Sequence, residues 1–130
     1  MKQIIALILA TLCPLLLTCG DECAYNIKYE ITGTAPKGGV SVLFANEYGD
    51  DEAFSSIKLP WIKDFNVQFR DDTYYGGKYV GGVFPAYLSA TITTFGYVTS
   101  KIYYGGKLVD SVMTTGPDGV ATARYGVKLK

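Results

Sequence analysis

From Ala24 onward, apolar and polar residues alternate with a period of two. Tyr25, Ile27, Tyr29 and Ile31 interleave with Asn26, Lys28, Glu30 and Thr32, the pattern of a strand with one buried face. A loop rich in Pro and Gly over 34–39 separates it from a second strand over 40–46, dense in Val, Leu and Phe. Residues 47–52, with Tyr48-Gly49-Asp50-Asp51 inside, read as a hairpin turn. A third strand is expected over 54–59, closed by Leu59-Pro60-Trp61, and a fourth over 62–70, with Phe65, Val67 and Phe69 on one face. A fifth, over 86–95, would bury Leu88, Ala90 and Ile92 behind a polar face of Ser89, Thr91 and Thr93.

Residues 98–104 and 107–115 flank Gly105-Gly106, a two-residue hairpin turn that needs positive φ. Gly116-Pro117-Asp118-Gly119 turns the chain once more, and 120–128 closes the set. Short strands at near-regular spacing, with no amphipathic helical stretch, predict an all-β fold: an antiparallel, immunoglobulin-like β-sandwich of seven or eight strands. At 130 residues the chain has room for one such domain.

The N-terminal end follows a different rule. Lys2 precedes a run over 4–17 that is apolar apart from Thr11 and Pro14, as in a secretory signal peptide. A transmembrane anchor is the alternative, but the run is shorter than the roughly 20 residues a spanning helix needs, and Pro14 interrupts it. Leu16-Leu17-Thr18-Cys19-Gly20 resembles a relaxed bacterial lipobox, which implies cleavage before Cys19 and diacylation of its sulfur. Two acyl chains suffice for stable anchoring where one is marginal. Asp21-Glu22 resembles the acidic signal that sends lipoproteins to the outer cell surface. The expected organisation is therefore a signal peptide over 1–18, an acidic tether over 19–23 and a sandwich over 24–130. The expected location is the cell envelope, at the outer membrane or cell surface or on a periplasmic face.

The three cysteines fit this plan. Cys13 leaves with the signal, Cys19 carries lipid, and Cys23 remains alone, so the mature domain has no disulfide framework. A short Cys19–Cys23 disulfide loop is the competing reading.

Charge and chemistry narrow the function. Twelve basic and twelve acidic residues balance, so loss of Lys2 with the signal leaves a net charge of −1. That provides no basic field for nucleic acid. The chain has no histidine, which excludes His triads and His metal sites. It also lacks a phosphate loop, a nucleophile elbow and zinc-spaced cysteines, so no catalytic residue, metal or cofactor is expected. Asp50-Asp51-Glu52 and Asp71-Asp72 read as turn residues that bond the backbone locally. Calcium binding and glycoside hydrolysis are the alternatives for such carboxylates. Trp61 reads as a core plug, or else as a stacking platform.

Tyr74-Tyr75-Gly76-Gly77-Lys78 recurs as Tyr103-Tyr104-Gly105-Gly106-Lys107, which is explained by one hairpin solution used twice. The sharper alternative is an exposed aromatic surface of Tyr74, Tyr75, Tyr79 and Phe84 that contacts a glycan or a host protein.

Taken in order, Lys28-Tyr29-Glu30-Ile31-Thr32-Gly33, Ser41-Val42-Leu43-Phe44-Ala45-Asn46, Leu59-Pro60-Trp61, Ala86-Tyr87-Leu88-Ser89-Ala90 and Ile102-Tyr103-Tyr104-Gly105-Gly106-Lys107-Leu108-Val109 resemble the periplasmic domain of the MmpS family. These are small membrane proteins that accompany MmpL transporters of the resistance-nodulation-division class. The resemblance implies a non-catalytic β-sandwich at a membrane that assists export through a partner transporter. Here lipid on Cys19 would replace the N-terminal helix of that family.

Overall fold

The computed structural model describes residues 25–67 and 83–128. They form eight strands: β1 (Asn26–Thr34), β2 (Val40–Ala45), β3 (Asp51–Phe54), β4 (Trp61–Asn66), β5 (Val83–Ile92), β6 (Tyr97–Tyr104), β7 (Lys107–Thr115) and β8 (Gly119–Lys128). One sheet has the order β8-β5-β2-β3 and the other β4-β1-β6-β7. Every pairing is antiparallel. Only β2–β3 and β6–β7 are hairpins within a sheet; each other pair of consecutive strands lies in opposite sheets. The expected all-β, two-layer sandwich without a helix is therefore the fold of the described residues.

The period of two dictates the core. Ile27, Tyr29 and Ile31 of β1 are fully buried, as are Phe44 of β2, Leu88, Ala90 and Ile92 of β5, and Val98 and Ile102 of β6. Each large apolar side chain taken out of water contributes roughly 1.5–3 kcal/mol. An aromatic cluster joins the layers: the Tyr29 ring lies 5.8 Å from Phe44 and 5.3 Å from Phe65, edge to face in both cases. That geometry sets ring edges against π-faces. Trp61 is half-buried, its ring 5.3 Å from Phe44, so it packs on the core as the plug reading anticipates.

Three strands differ most from expectation. The third strand lies over Asp51–Phe54 rather than 54–59, and residues 47–52 are not all turn. Asn46 is the cause. Its Oδ1 accepts from the Tyr48 and Asp50 amides at 2.9 and 3.0 Å, and its Nδ2 donates to Glu52 Oε2 at 2.8 Å. The reversal is therefore finished by Asp50, and Asp51 and Glu52 are free to pair with Ala45 and Phe44. After Phe54 the chain leaves the ladder through Ser56, at φ 61°, and touches it again where the Ile57 amide bonds the Val40 carbonyl at 2.9 Å. The fifth strand starts earlier than expected, at Val83, and ends at Ile92 rather than 95. The fourth ends at Asn66; residues 68–70 of the expected strand lie outside the described residues.

Candidate interaction surface

The register gives the sandwich two poles. Asn26, at the start of β1, faces Asn66 of β4, and its carbonyl accepts from the Gly105 amide at 3.0 Å. The β6–β7 hairpin tip thus belongs to this N-terminal pole. So do Val83 and Phe84, since the Phe84 ring lies 6.4 Å from Phe65. The other end of β1, Thr34, faces Tyr97, while Val40 faces Ile92 and Ile92 faces Gly119. Nine strand residues at about 3.3 Å each put the poles roughly 30 Å apart.

The residues proposed from sequence fall unevenly on this frame. Cys19, Cys23, Tyr74, Tyr75 and Tyr79 lie outside the described residues, as do Asp71 and Asp72. Phe84 is placed clearly: it is fully buried in the core beside Phe65. This corrects its assignment to an exposed aromatic surface, because Phe84 falls on the inward face of β5 with Ala86 and Leu88. The carboxylates of the β2–β3 hairpin are engaged within the fold. Glu52 accepts from Asn46, and Asp51 accepts from the Tyr87 hydroxyl. Partial burial, followed by the Asp51 carboxylate, pushes the Tyr87 pKa up to about 12. No group of three or more His, Cys, Asp or Glu residues placed to hold a metal occurs among the described residues. On the outer face of the second sheet, Lys28 lies 4.7 Å from the Tyr103 ring centre, and the Tyr103 hydroxyl donates to Glu30 at 3.0 Å.

The distal pole carries the features that no sequence motif announced. A groove of about 530 Å³ opens between the β1–β2 loop and the β3–β4 connection. Val40 and Ile57, both buried, lie along it with Ala35, Pro36 and Leu59. Lys37 and Lys58 are exposed on its rim, and no carboxylate lines it. Neither lysine makes an ion pair among the described residues; the recorded pair is Lys63 with Glu47 at 3.9 Å.

Beside the groove stands Phe95, 81% exposed, the most exposed large apolar side chain among the described residues. Its loop is built tightly. A Cβ on Gly96 would meet the Thr34 carbonyl oxygen at 1.9 Å, one on Gly39 the Thr94 hydroxyl at 2.3 Å, and one on Gly116 the Thr94 carbonyl oxygen at 1.8 Å. Backbone bonds from Thr93 to Gly39 (2.8 Å) and from Gly116 to Gly96 (2.9 Å) fix the loop on both sides. Glycine at 96 and 116 lets neighbouring backbones approach, and at 39 it makes room for the Thr94 side chain. The Phe95 backbone is thereby held with the ring turned to solvent. The expected strand over 86–95 runs through this loop, and Gly96 directly after Phe95 is the one local mark in the sequence that could place a turn there.

The motif residues that carry the family resemblance have structural work in this frame. Gly33 ends the inward row of β1 where β6 crosses so closely that a Cβ would sit 2.1 Å from the Tyr97 carbonyl oxygen. Leu59 lines the groove and Trp61 covers Phe44. No family model matches the chain, and no curated protein is significantly similar to it.

Proposed function

We propose that this chain is a lipid-anchored, non-enzymatic envelope protein of the MmpS type, an accessory that binds within an export complex rather than catalysing a reaction. The observation that carries this reading is the polarity of the sandwich. β1 begins at Asn26, seven residues after Cys19, a tether of at most about 25 Å. Lipid on Cys19 would therefore hold the N-terminal pole at the membrane and turn the groove and Phe95 away from it. The engagement of Asp51 and Glu52 in bonds to Tyr87 and Asn46 also favours binding over acid–base chemistry at that hairpin.

Replacing Cys19 by Ser tests the anchor. The variant is expected to leave the membrane fraction and appear in the soluble one; retention in the membrane would overturn the lipoprotein reading. Crosslinking in cells, followed by identification of the partner, tests the accessory role, for which a large transporter is the expected product. Protease shaving of intact cells separates a periplasmic position, which is protected, from a surface module, which is cut.

A further inference from the structure

We infer that the distal pole is a docking surface for an acidic polypeptide segment of a partner protein, with Phe95 as its apolar anchor and Lys37 and Lys58 as its charge readers. This rests on the binding role proposed above, and its place away from the membrane rests on the anchor at Cys19; the binding itself needs neither lipid nor membrane.

Three observations converge on it. The first is preorganisation. A large apolar ring 81% exposed to water is held by a loop that three glycines and two backbone hydrogen bonds clamp in place. A backbone already fixed spares the loop's share of the ordering cost on binding, leaving only the exposed Phe95 ring to be immobilised.

The second is shape. The groove begins one step away, since Thr34 both lines it and packs on Gly96. A volume of about 530 Å³ is in the range of sites that take a compact ligand or a few side chains. An occupant confined to the groove would leave Phe95 uncovered. An extended chain crossing the pole would cover both.

The third is charge. The groove carries Lys37 and Lys58 and no carboxylate; the exposed carboxylate of this pole, Asp118, sits on the β7–β8 turn and does not line the groove. Complementary charge steers encounter and selects partners. A second copy of this pole would oppose lysines to lysines, so the occupant is a different, acidic chain.

The experiment uses the purified full-length chain in detergent, panned against a display library of random peptides. Selected peptides are expected to combine Asp or Glu with a large apolar residue. Their affinity should fall as salt is raised from about 0.05 to about 0.5 M, as screening predicts. Phe95→Ser, and separately Lys37→Glu with Lys58→Glu, should each weaken binding by about tenfold or more. Lys107→Glu, at the opposite pole, should leave it unchanged. Circular dichroism of each variant confirms that it is folded. Peptides without an acidic bias, or binding indifferent to these substitutions, overturn the proposal. So does tight association of the Cys19→Ser chain with phosphatidylglycerol vesicles, if it depends on Phe95 and both lysines while no peptide is selected, because the surface would then read a lipid bilayer. Membrane retention of Cys19→Ser with peptide binding intact overturns the anchor alone, whereas release of Cys19→Ser with no peptide selected overturns this surface alone.

Discussion

The Tyr29 hydroxyl in β1 donates a 2.7 Å hydrogen bond to the Ala45 carbonyl in β2, linking the two sheets through the middle of the core. The Ser100 hydroxyl of β6 makes a second such link, to the Ala121 carbonyl of β8 at 2.9 Å. Both residues are fully buried, and a buried polar group is costly unless bonded. The links therefore specify how the sheets align as well as adding stability. Tyr29→Phe keeps the ring packing on Phe44 and Phe65 and removes only the donor. It is expected to lower stability by roughly 1–2 kcal/mol, measured as a lower urea midpoint at unchanged m-value. An unchanged midpoint would show that the bond is neutral.

The same residue gives the protein an alkaline limit. Burial raises the Tyr29 pKa above its ordinary 10.0, since a phenolate in the core loses its hydration. The Tyr87 pKa is pushed up to about 12, first by burial and then by the Asp51 carboxylate. Both folded values lie above the unfolded one. Below pH 10 both groups are neutral in either state and their contributions are fully present. Above it the unfolded chain releases protons that the folded chain keeps, so stability falls as pH rises. For Tyr29 the slope is about 1.4 kcal/mol per pH unit in that window. Urea midpoints at about pH 9 and about pH 11 should differ strongly in the parent and less in Tyr29→Phe. Equal pH dependence in the two proteins would remove Tyr29 as the cause.

Gly105 and Gly106 turn the β6–β7 hairpin with φ of 60° and 85°, the paired positive values of a type I′ turn. A Cβ at either site would meet nothing within 4 Å. The cost of substitution is therefore in the backbone alone. Gly106→Val is expected to destabilise by about 1–2 kcal/mol, whereas Gly105→Asn should cost less than about 0.5 kcal/mol because Asn tolerates this region. Thermal unfolding of the two variants decides it, and equal losses would contradict the turn type.

How legible all this was depended on whether the deciding contact is local. Ile27, Tyr29 and Ile31 show their inward face by alternation alone, and Gly105-Gly106 names its own turn. The third strand falls earlier than the sequence suggests because acidic residues resemble a turn, and only the Asn46 side chain, bonding forward to Tyr48, Asp50 and Glu52, frees Asp51 to begin a strand. Phe84 follows a run of aromatics in the sequence, but it belongs to the inward row of β5. The groove had no local signature. Its two walls, the β1–β2 loop and the β3–β4 connection, meet only because the chain crosses between sheets at both points.

Asp110 joins the two sheets at their open edges. The register of β6 and β7 shifts between Ile102 and Tyr103, leaving Val109 without an opposite residue, a bulge that re-aims the side chain after it. Asp110 Oδ2 then accepts the Arg124 amide of β8 at 2.8 Å, and Oδ1 accepts the Ser111 amide at 3.0 Å. β7 and β8 are edge strands of different sheets, so this carboxylate covers an edge donor that would otherwise be open to pairing with another chain. Because the site is exposed, water replaces part of what is lost, and Asp110→Ala should cost only about 0.5–1.5 kcal/mol. Asp110→Asn, which keeps an acceptor, should recover part of that. The sharper readout is hydrogen exchange: the Arg124 amide should exchange faster in Asp110→Ala, while Ala90 and Leu88 in the neighbouring central strand keep their protection. If Arg124 exchanges at the parent rate, the carboxylate does not bridge the edges in solution, and the bulge at Val109 needs another explanation.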